Sequence, residues 1–318
     1  MKISKDKKLC EEYIGKHPVI SISLKGINAA SYEAAFELTV KTIKGAVQKA
    51  GFLKMSDKLD EDEKKEYRAI LDENMSEATL FWSLKNLSEL LEKHYETKVI
   101  LLIDEYDVPL AKAFENGYYD KMVFLIRNLL EQTLKTNNSL KFAVMTGCMR
   151  ISKESIFTGL NNLKVLSITD ERFDEYFGFT DEDVKEMLRY YDREDHYEEM
   201  RNWYDGYRFG STDVYCPWDV LNHCDKIKEN AAAFPENYWV HTSSNEAVKK
   251  IIQMSGNITT KREIERLLAG EEIVKEIRQE LTYQEMYQSV ENIWSLLFMT
   301  GYLTPVSYTH LRAHETRS

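Results

Sequence analysis

The stretch VILLIDEYD, residues 99–107, runs five apolar residues directly into Asp104 and Glu105. The apolar residues do not alternate with polar ones, which predicts a short strand buried on both faces of a parallel sheet. Ligands of open parallel sheets bind outside the carboxyl ends of the strands. We therefore expect the two carboxylates to lie at a ligand-binding edge.

The segments around this strand alternate between strand and helix patterns. Pro18–Leu24 alternates Ile20 and Ile22 with serines, and residues 140–145 and 164–168 are predicted to be further short strands. Three stretches between or beside them have the apolar spacing of amphipathic helices: Phe36, Val40, Ile43, Val47; Leu80, Leu84, Leu87, Leu91; and Tyr119, Met122, Val123, Ile126, Leu129, Leu130. This order predicts an α/β fold with a parallel sheet flanked by helices.

The pattern becomes mostly helical after residue 178. Thr180 is suited to cap a helix whose inner face carries Val184 and Leu188. We predict a first domain over residues 1–178 and a helical, lid-like or winged-helix-like domain over residues 179–305.

Composition limits the classes of function. The formal net charge of −11 disfavours a protein that binds nucleic acid constitutively, although a local basic patch stays open. The spacing of Cys216, His223 and Cys224 fits no standard zinc site, and ordinary reduced thiols are the preferred interpretation. The chain has no apolar run of membrane-spanning length and no secretory pattern at its start, so a cytoplasmic location is predicted.

Two adjacent carboxylates after a buried strand suit phosphate chemistry. Asp104 is the candidate ligand of Mg²⁺, through water, and Glu105 is the candidate group that orients or deprotonates an attacking water. Their side chains are expected to point in different directions, and Asp107 is a candidate outer group. The alternative is that both carboxylates simply solvate the end of a strand.

The end of the neighbouring strand carries further candidates. Thr146 is placed to sense a terminal phosphate, and Gly147 allows close approach of the backbone. Arg150 and Lys153 follow within a turn or two and could contact phosphate, although a surface ion pair is the alternative for Arg150.

A phosphate-binding loop of the form G-x-x-x-x-G-K-[ST] is absent from the sequence. The sequence contains a single Gly-Lys pair, Gly15-Lys16. No glycine lies at the required distance before this pair, and His17 follows it.

Three motifs resemble the bacterial AAA-ATPase-like family of P-loop proteins. They are Ile103–Pro109, Thr146–Lys153 continuing to Leu163, and Trp203–Phe209 with Val214–Trp218. The resemblance runs from about Lys2 to Pro305 and identifies the first motif as a Walker B strand. It implies a parent protein with an upstream phosphate loop of the form R-P-R-R-F-G-K-S and, in many members, a terminal PD-(D/E)XK nuclease-like domain.

The resemblance implies an ATP hydrolase that uses Mg²⁺ and ATP. In the intact parent, Asp104 would bind Mg²⁺, Glu105 would activate water, and Thr146 and Arg150 would contact phosphate. The chain is expected to be a fragment that lacks the first strand and phosphate loop and is inactive as given. The alternative is a non-catalytic interaction or regulatory module on a degraded P-loop fold. Partner, oligomeric state and nucleic-acid involvement stay open.

The last 13 residues, VSYTHLRAHETRS at 306–318, carry no core pattern. A helical His310 and His314 pair could bind a metal. The string also resembles a transposon-type sequencing adapter translated in one frame, and on that interpretation the tail is not native and packs against nothing.

Overall fold

The computed structural model describes residues 2–148, 160, 163–238, 258–286 and 288–305. The chain forms two compact units, one of residues 1–163 with 280–283 and one of residues 164–279 with 284–318. The predicted domain boundary at residue 178 stays a prediction.

The first unit contains a three-stranded parallel sheet in the order β1-β2-β3. Its strands are β1 (Val19–Ser23), β2 (Val99–Asp104) and β3 (Leu140–Met145). Its helices are α1 (Lys7–Tyr13), α2 (Tyr32–Gln48), α3 (Glu61–Ile70), α4 (Glu77–Tyr95), α5 (Val108–Glu115) and α6 (Tyr119–Leu134). The coarse prediction of a parallel sheet flanked by helices is confirmed.

Register places the ends of the three strands at one edge. Ser23 is opposite Asp104, and Ile103 is opposite Met145. Since all three strands are parallel, the residues that follow them meet at this carboxyl edge.

The two faces of the sheet differ in exposure. Ile20, Ile22, Leu101 and Ile103 are buried on one face, where α2 and α4 pack against the strands. Side chains on the other face remain open to solvent, including Val19, Leu102, Phe142 and Val144. The prediction that β2 is buried on both faces is therefore wrong at Leu102, which is 37% exposed.

Helix α2 turns a different face inward from the one that its apolar spacing predicted. Its buried residues are Ala35, Thr39, Ile43 and Val47, whereas Phe36 and Val40 are half-buried. Thr39 can be buried because its hydroxyl donates to the Ala35 carbonyl at 2.8 Å.

The second unit is built from helices and one hairpin. The hairpin strands are β4 (Asp205–Phe209) and β5 (Thr212–Tyr215), which pair antiparallel. Its helices are α7 (Asp181–Tyr190), α8 (Tyr197–Tyr204), α9 (Pro217–Glu229), α10 (Ile258–Leu268), α11 (Tyr283–Met286, whose first residue belongs to the first unit) and α12 (Val290–Met299). A winged-helix form stays a prediction.

The predicted cap at Thr180 is confirmed. The Thr180 hydroxyl accepts from the Asp183 backbone N–H, and the Asp183 carboxylate accepts from the Thr180 N–H, which completes a capping box. Behind it, Val184 and Leu188 of α7 pack with Met200 and Val220 in the core of this unit.

Residues 164–168 form no strand, which corrects the sequence prediction. Val165 and Leu166 are more than a third exposed and have no neighbouring strand to pair with among the described residues. Without a partner strand, its backbone groups bond elsewhere, and the Ile168 carbonyl accepts from the Gly210 N–H at 2.8 Å.

Candidate functional site

The carboxyl edge of the sheet brings Asp104 and Thr146 together. Asp104 ends β2, Thr146 directly follows β3, and the Thr146 hydroxyl donates a hydrogen bond to Asp104 Oδ1. The backbone hydrogen bonds between β2 and β3 continue past the end of β3. The Thr146 N–H donates to the Ile103 carbonyl at 2.9 Å, and the Tyr106 N–H donates to the Thr146 carbonyl at 3.1 Å. Both side chains are exposed, so the pair faces solvent.

The Glu105 side chain points toward the chain that follows β1, on the other side of β2 from β3. The Glu105 backbone is left-handed, with φ of 53°, which is uncommon for a residue other than glycine. Its Oε1 lies 3.6 Å from Nζ of Lys25, a residue just after β1. The expected divergence of Asp104 and Glu105 is thus produced by a turn at Glu105 rather than by the alternation of side chains along a strand.

Gly147 allows the backbone after β3 to approach Asp107. A Cβ on Gly147 would lie 2.6 Å from Asp107 Oδ1 and 2.8 Å from Cε1 of Tyr106. Asp107 is only 3% exposed and immediately precedes α5. Any side chain at position 147 would therefore displace these neighbours.

The electrostatics at Cys148 show that three carboxylates converge on this edge. The pKa of the Cys148 thiol is raised, first by desolvation and then by the negative charges of Asp107, Glu105 and Asp104. The positive charge of Lys25 acts in the opposite direction. A positively charged ligand would be favoured in such a field.

The donors at this edge fit a hard cation. Carboxylate and hydroxyl oxygens suit Mg²⁺, which proteins commonly hold by one or two carboxylates together with water and phosphate oxygens. Asp104 and Glu105 supply carboxylates and Thr146 supplies a hydroxyl. Two other predicted phosphate contacts, Arg150 and Lys153, lie outside the described residues, as do His310 and His314 of the tail.

Gly15-Lys16 lies at the wrong edge for a phosphate loop. It precedes β1, and the neighbouring His17 Nδ1 is 2.8 Å from the carbonyl oxygen of Lys98, just before β2. This is the amino edge of the sheet, opposite the end that carries Asp104.

Sequence reasoning missed Lys25 and Cys148. Lys25 follows a strand that was predicted correctly, so its position at the carboxyl edge was available from the pattern. A second group was also missed: His196, Glu199 and His223 have potential ligand atoms within 4.8 Å of one another. Within the described part of the chain, this group includes neither Cys216 nor Cys224.

The amino-terminal half of the chain matches a known family. Residues 2–157 match the AAA-ATPase_like family model, described as a predicted AAA-ATPase. This half of the chain is similar to the AAA-ATPase-like family. The match confirms the family resemblance and includes the Asp104 and Thr146 motifs, although the resemblance was predicted to extend to Pro305.

The AAA-ATPase-like segment also has a curated relative. An uncharacterized protein in the vnfD 5′ region of Azotobacter chroococcum mcd 1 is 33% identical over 137 residues. The alignment covers 39% of this chain and 24% of that protein, so the chain spans about a quarter of the relative's length. No solved structure matches the chain.

Helix length and polarity also bear on the class of protein. Across the described residues, none of the helices combines the length and apolar character that a membrane crossing requires.

Proposed function

We propose that this chain carries the metal-binding and water-activating half of a Mg²⁺-dependent ATPase site. The observation that carries the proposal is the hydrogen bond between Thr146 and Asp104, which joins the ends of two adjacent parallel strands at the ligand-binding edge. The AAA-ATPase-like family of residues 2–157 supports it.

Each residue at this edge has a proposed role. Asp104 holds Mg²⁺ through water, and Thr146 orients the Asp104 carboxylate while facing the terminal phosphate. Glu105 orients or deprotonates the attacking water, and the ion pair with Lys25 positions its carboxylate. Arg150 is the proposed further phosphate contact. When bound, Mg²⁺ would neutralise charge that develops on the phosphate oxygens.

The cradle for the phosphates is proposed to come from sequence outside these 318 residues. In P-loop enzymes, backbone N–H groups and a lysine of the loop supply many of the phosphate contacts. Because Gly15-Lys16 lies at the amino edge, we expect the chain by itself to bind ATP very weakly and to be inactive. The nuclease-like partner domain, an oligomeric assembly and a cytoplasmic location stay predictions.

The second candidate is a non-catalytic interaction module on a degraded P-loop fold. The observation in its favour is the open apolar face of the sheet at Leu102, Phe142 and Val144. The hydrogen bond between Thr146 and Asp104, with Glu105 at the same edge of the sheet, favours the ATPase proposal over this one.

The test uses the longer protein that carries the proposed phosphate-binding segment. Glu105→Gln should reduce ATP turnover by at least about a hundredfold, since a general base contributes about 10²–10⁴-fold, and should leave the affinity for ATP unchanged. Asp104→Asn should weaken Mn²⁺ binding measured by electron paramagnetic resonance. Asp120→Asn, on an exposed position of α6, is the matched control and should change neither quantity.

Unchanged turnover in Glu105→Gln would remove Glu105 from the proposed role. Calorimetric titration of the 318-residue chain with Mg²⁺ and ATP gives a separate check. A micromolar dissociation constant for this chain would contradict the proposal that the cradle lies elsewhere.

A further inference from the structure

A cavity in the second unit is lined by the motif Trp203–Tyr207, which the ATPase proposal leaves unused. Its volume is about 360 Å³, and all five consecutive residues of that motif contribute to its wall. Asp219 of α9 and Tyr302, which follows α12, also line the cavity. This volume is near the lower end of small-molecule sites, which span roughly 300–1,000 Å³.

Hydrogen bonds fix the aromatic side of the cavity. The Tyr204 hydroxyl donates to the Glu236 carbonyl at 3.0 Å and accepts from the Glu236 N–H at 3.1 Å. Asp205 begins β4 and is paired with Tyr215 of β5. Tyr207 is two residues further along β4, so the hairpin holds both residues at the cavity wall.

The lining is acidic. Asp205 and Asp219 contribute carboxylates, and the residues that line this cavity include no lysine, arginine or histidine. Burial and the neighbouring charge of Asp213 raise the pKa of Asp205, while Arg201 acts in the opposite direction. The cavity is therefore electrostatically unfavourable for an anion and favourable for a cation.

Asp219 contributes the more deeply buried of the two carboxylates, and its side chain also hydrogen-bonds the Cys216 thiol of the same cavity wall. It is 8% exposed, and its buried Oδ1 has no hydrogen-bond partner among the described residues. Its position in the first turn of α9 favours a negative charge there. A buried carboxylate oxygen without a donor is costly, and a positive charge in the adjacent cavity would stabilise the Asp219 carboxylate electrostatically.

We propose that this cavity binds a small organic cation, a protonated amine or a quaternary ammonium compound. The cationic head lies near Asp219 and Asp205, and its alkyl groups lie against the rings of Trp203, Tyr207 and Tyr302. Aromatic rings attract such cations through their π faces, and carboxylates neutralise the charge. A bare metal ion would gain little from the aromatic wall. The proposal is independent of the ATPase proposal.

Calorimetric titration with choline tests the proposal, with 3,3-dimethylbutan-1-ol as an uncharged ligand of the same shape. Choline should bind saturably, and the alcohol should bind at least about tenfold more weakly, a difference of about 1.4 kcal/mol. Asp219→Asn should also lose at least about tenfold in choline affinity. Asp225→Asn, at an exposed position of the same helix, should bind choline like the unmodified chain.

A second pair of variants keeps the test valid if Asp219→Asn fails to fold. Trp203 is 54% exposed and Trp218 is 48% exposed, so leucine at either position should leave the fold intact, as far-ultraviolet circular dichroism would verify. Trp203→Leu should weaken choline binding several-fold. Trp218→Leu should leave the affinity for choline unchanged, because Trp218 does not line the cavity. Equal binding of choline and the alcohol would overturn the proposal. So would the absence of saturable binding by choline, putrescine and agmatine.

Discussion

At the scale of single residues, the candidate site depends on how closely Gly147 approaches Asp107. Gly147 has an ordinary backbone φ, so its requirement for glycine is steric rather than conformational. The neighbours include the ring of the buried Tyr106, which cannot turn away as easily as a flexible chain. The site is therefore sensitive to the smallest added side chain.

Gly147→Ala should destabilise the chain by about 1–3 kcal/mol, the usual cost of forcing an extra carbon into a packed position. Urea unfolding followed by circular dichroism measures the change. Gly45→Ala is the matched control, since Gly45 is exposed within α2 and a Cβ there meets nothing within 4 Å. The control should gain about 0.5–1 kcal/mol, because alanine favours helix over glycine. Equal effects at both positions would contradict the steric argument.

The sequence alone predicts that Asp104 and Thr146 lie at the carboxyl edge of the sheet, because the apolar pattern shows where each strand ends. It could not foresee the left-handed turn at Glu105, because that conformation is imposed by the chain around it. Nor could it foresee the burial of Asp107, which depends on packing between residues distant in the sequence. Their roles in catalysis stay predictions.

At the scale of elements, the long periodic segments were predictable and the short ones were not. Helices α4 and α6 and strands β1 and β2 follow the predicted patterns, because each buries a regular apolar face. Strand β3 forms where it was predicted, although none of its residues is fully buried. Residues 164–168 had a similar apolar content but no partner strand in the part of the chain that the structure describes. Strand formation depends on pairing, which a local pattern does not encode.

Helices α8 and α9 are joined by a partly buried contact between the Glu199 carboxylate and His223. The Glu199 carboxylate oxygen Oε1 lies 3.2 Å from His223 Nε2 and 3.1 Å from His196 Nδ1. Burial lowers the pKa of His223 and outweighs the opposing effect of Glu199. Desolvation acts to raise the pKa of Glu199, but its hydrogen bonds to the two histidines lower it overall.

Both shifts make the second unit less stable as the pH falls. The unfolded chain takes up a proton at His223 near pH 6.5, its ordinary pKa, while the folded chain resists it. The contribution of His223 is thus complete above that pH and is lost as pH falls towards its lowered folded pKa. Glu199 adds a further loss at lower pH, as its carboxylate protonates below its ordinary pKa of 4.5.

His223→Gln should flatten the fall in unfolding free energy between pH 7 and pH 5. Glutamine keeps a donor for Glu199 but does not titrate in this range. Urea unfolding at pH 7, 6 and 5 measures the slope. His17→Gln, which changes a histidine of the first unit, should keep the slope of the unmodified chain. An unchanged slope in His223→Gln would show that this histidine does not control the acid sensitivity.

At the scale of the whole molecule, the exposed face of the sheet bears on where the proposed phosphate-binding segment would lie. Parallel sheets are normally covered on both faces. Here Phe142 and Val144 of β3 are 40% and 46% exposed, and β3 lies at one end of the sheet formed by the described strands. We propose that the phosphate-binding segment adds a strand beside β3 and covers this face, which would bring its loop to the edge that carries Asp104.

Val144→Thr distinguishes this arrangement from a face that remains open. The two side chains have the same shape and both favour strands, so the change mainly adds a polar hydroxyl. In the 318-residue chain, where Val144 is exposed, the free energy of unfolding should change by less than about 0.5 kcal/mol. In the longer protein, burial of the hydroxyl should make the same change cost about 1–3 kcal/mol.

Ile22→Val provides the control for that comparison, because Ile22 is 5% exposed on the covered face. It should cost about 0.5–1.5 kcal/mol in both proteins, since its surroundings do not change. If Val144→Thr costs the same small amount in both while Ile22→Val behaves as expected, the added segment does not cover this face. The phosphate loop would then have to reach Asp104 by another route, and the interaction-module proposal would gain the open face as its binding surface.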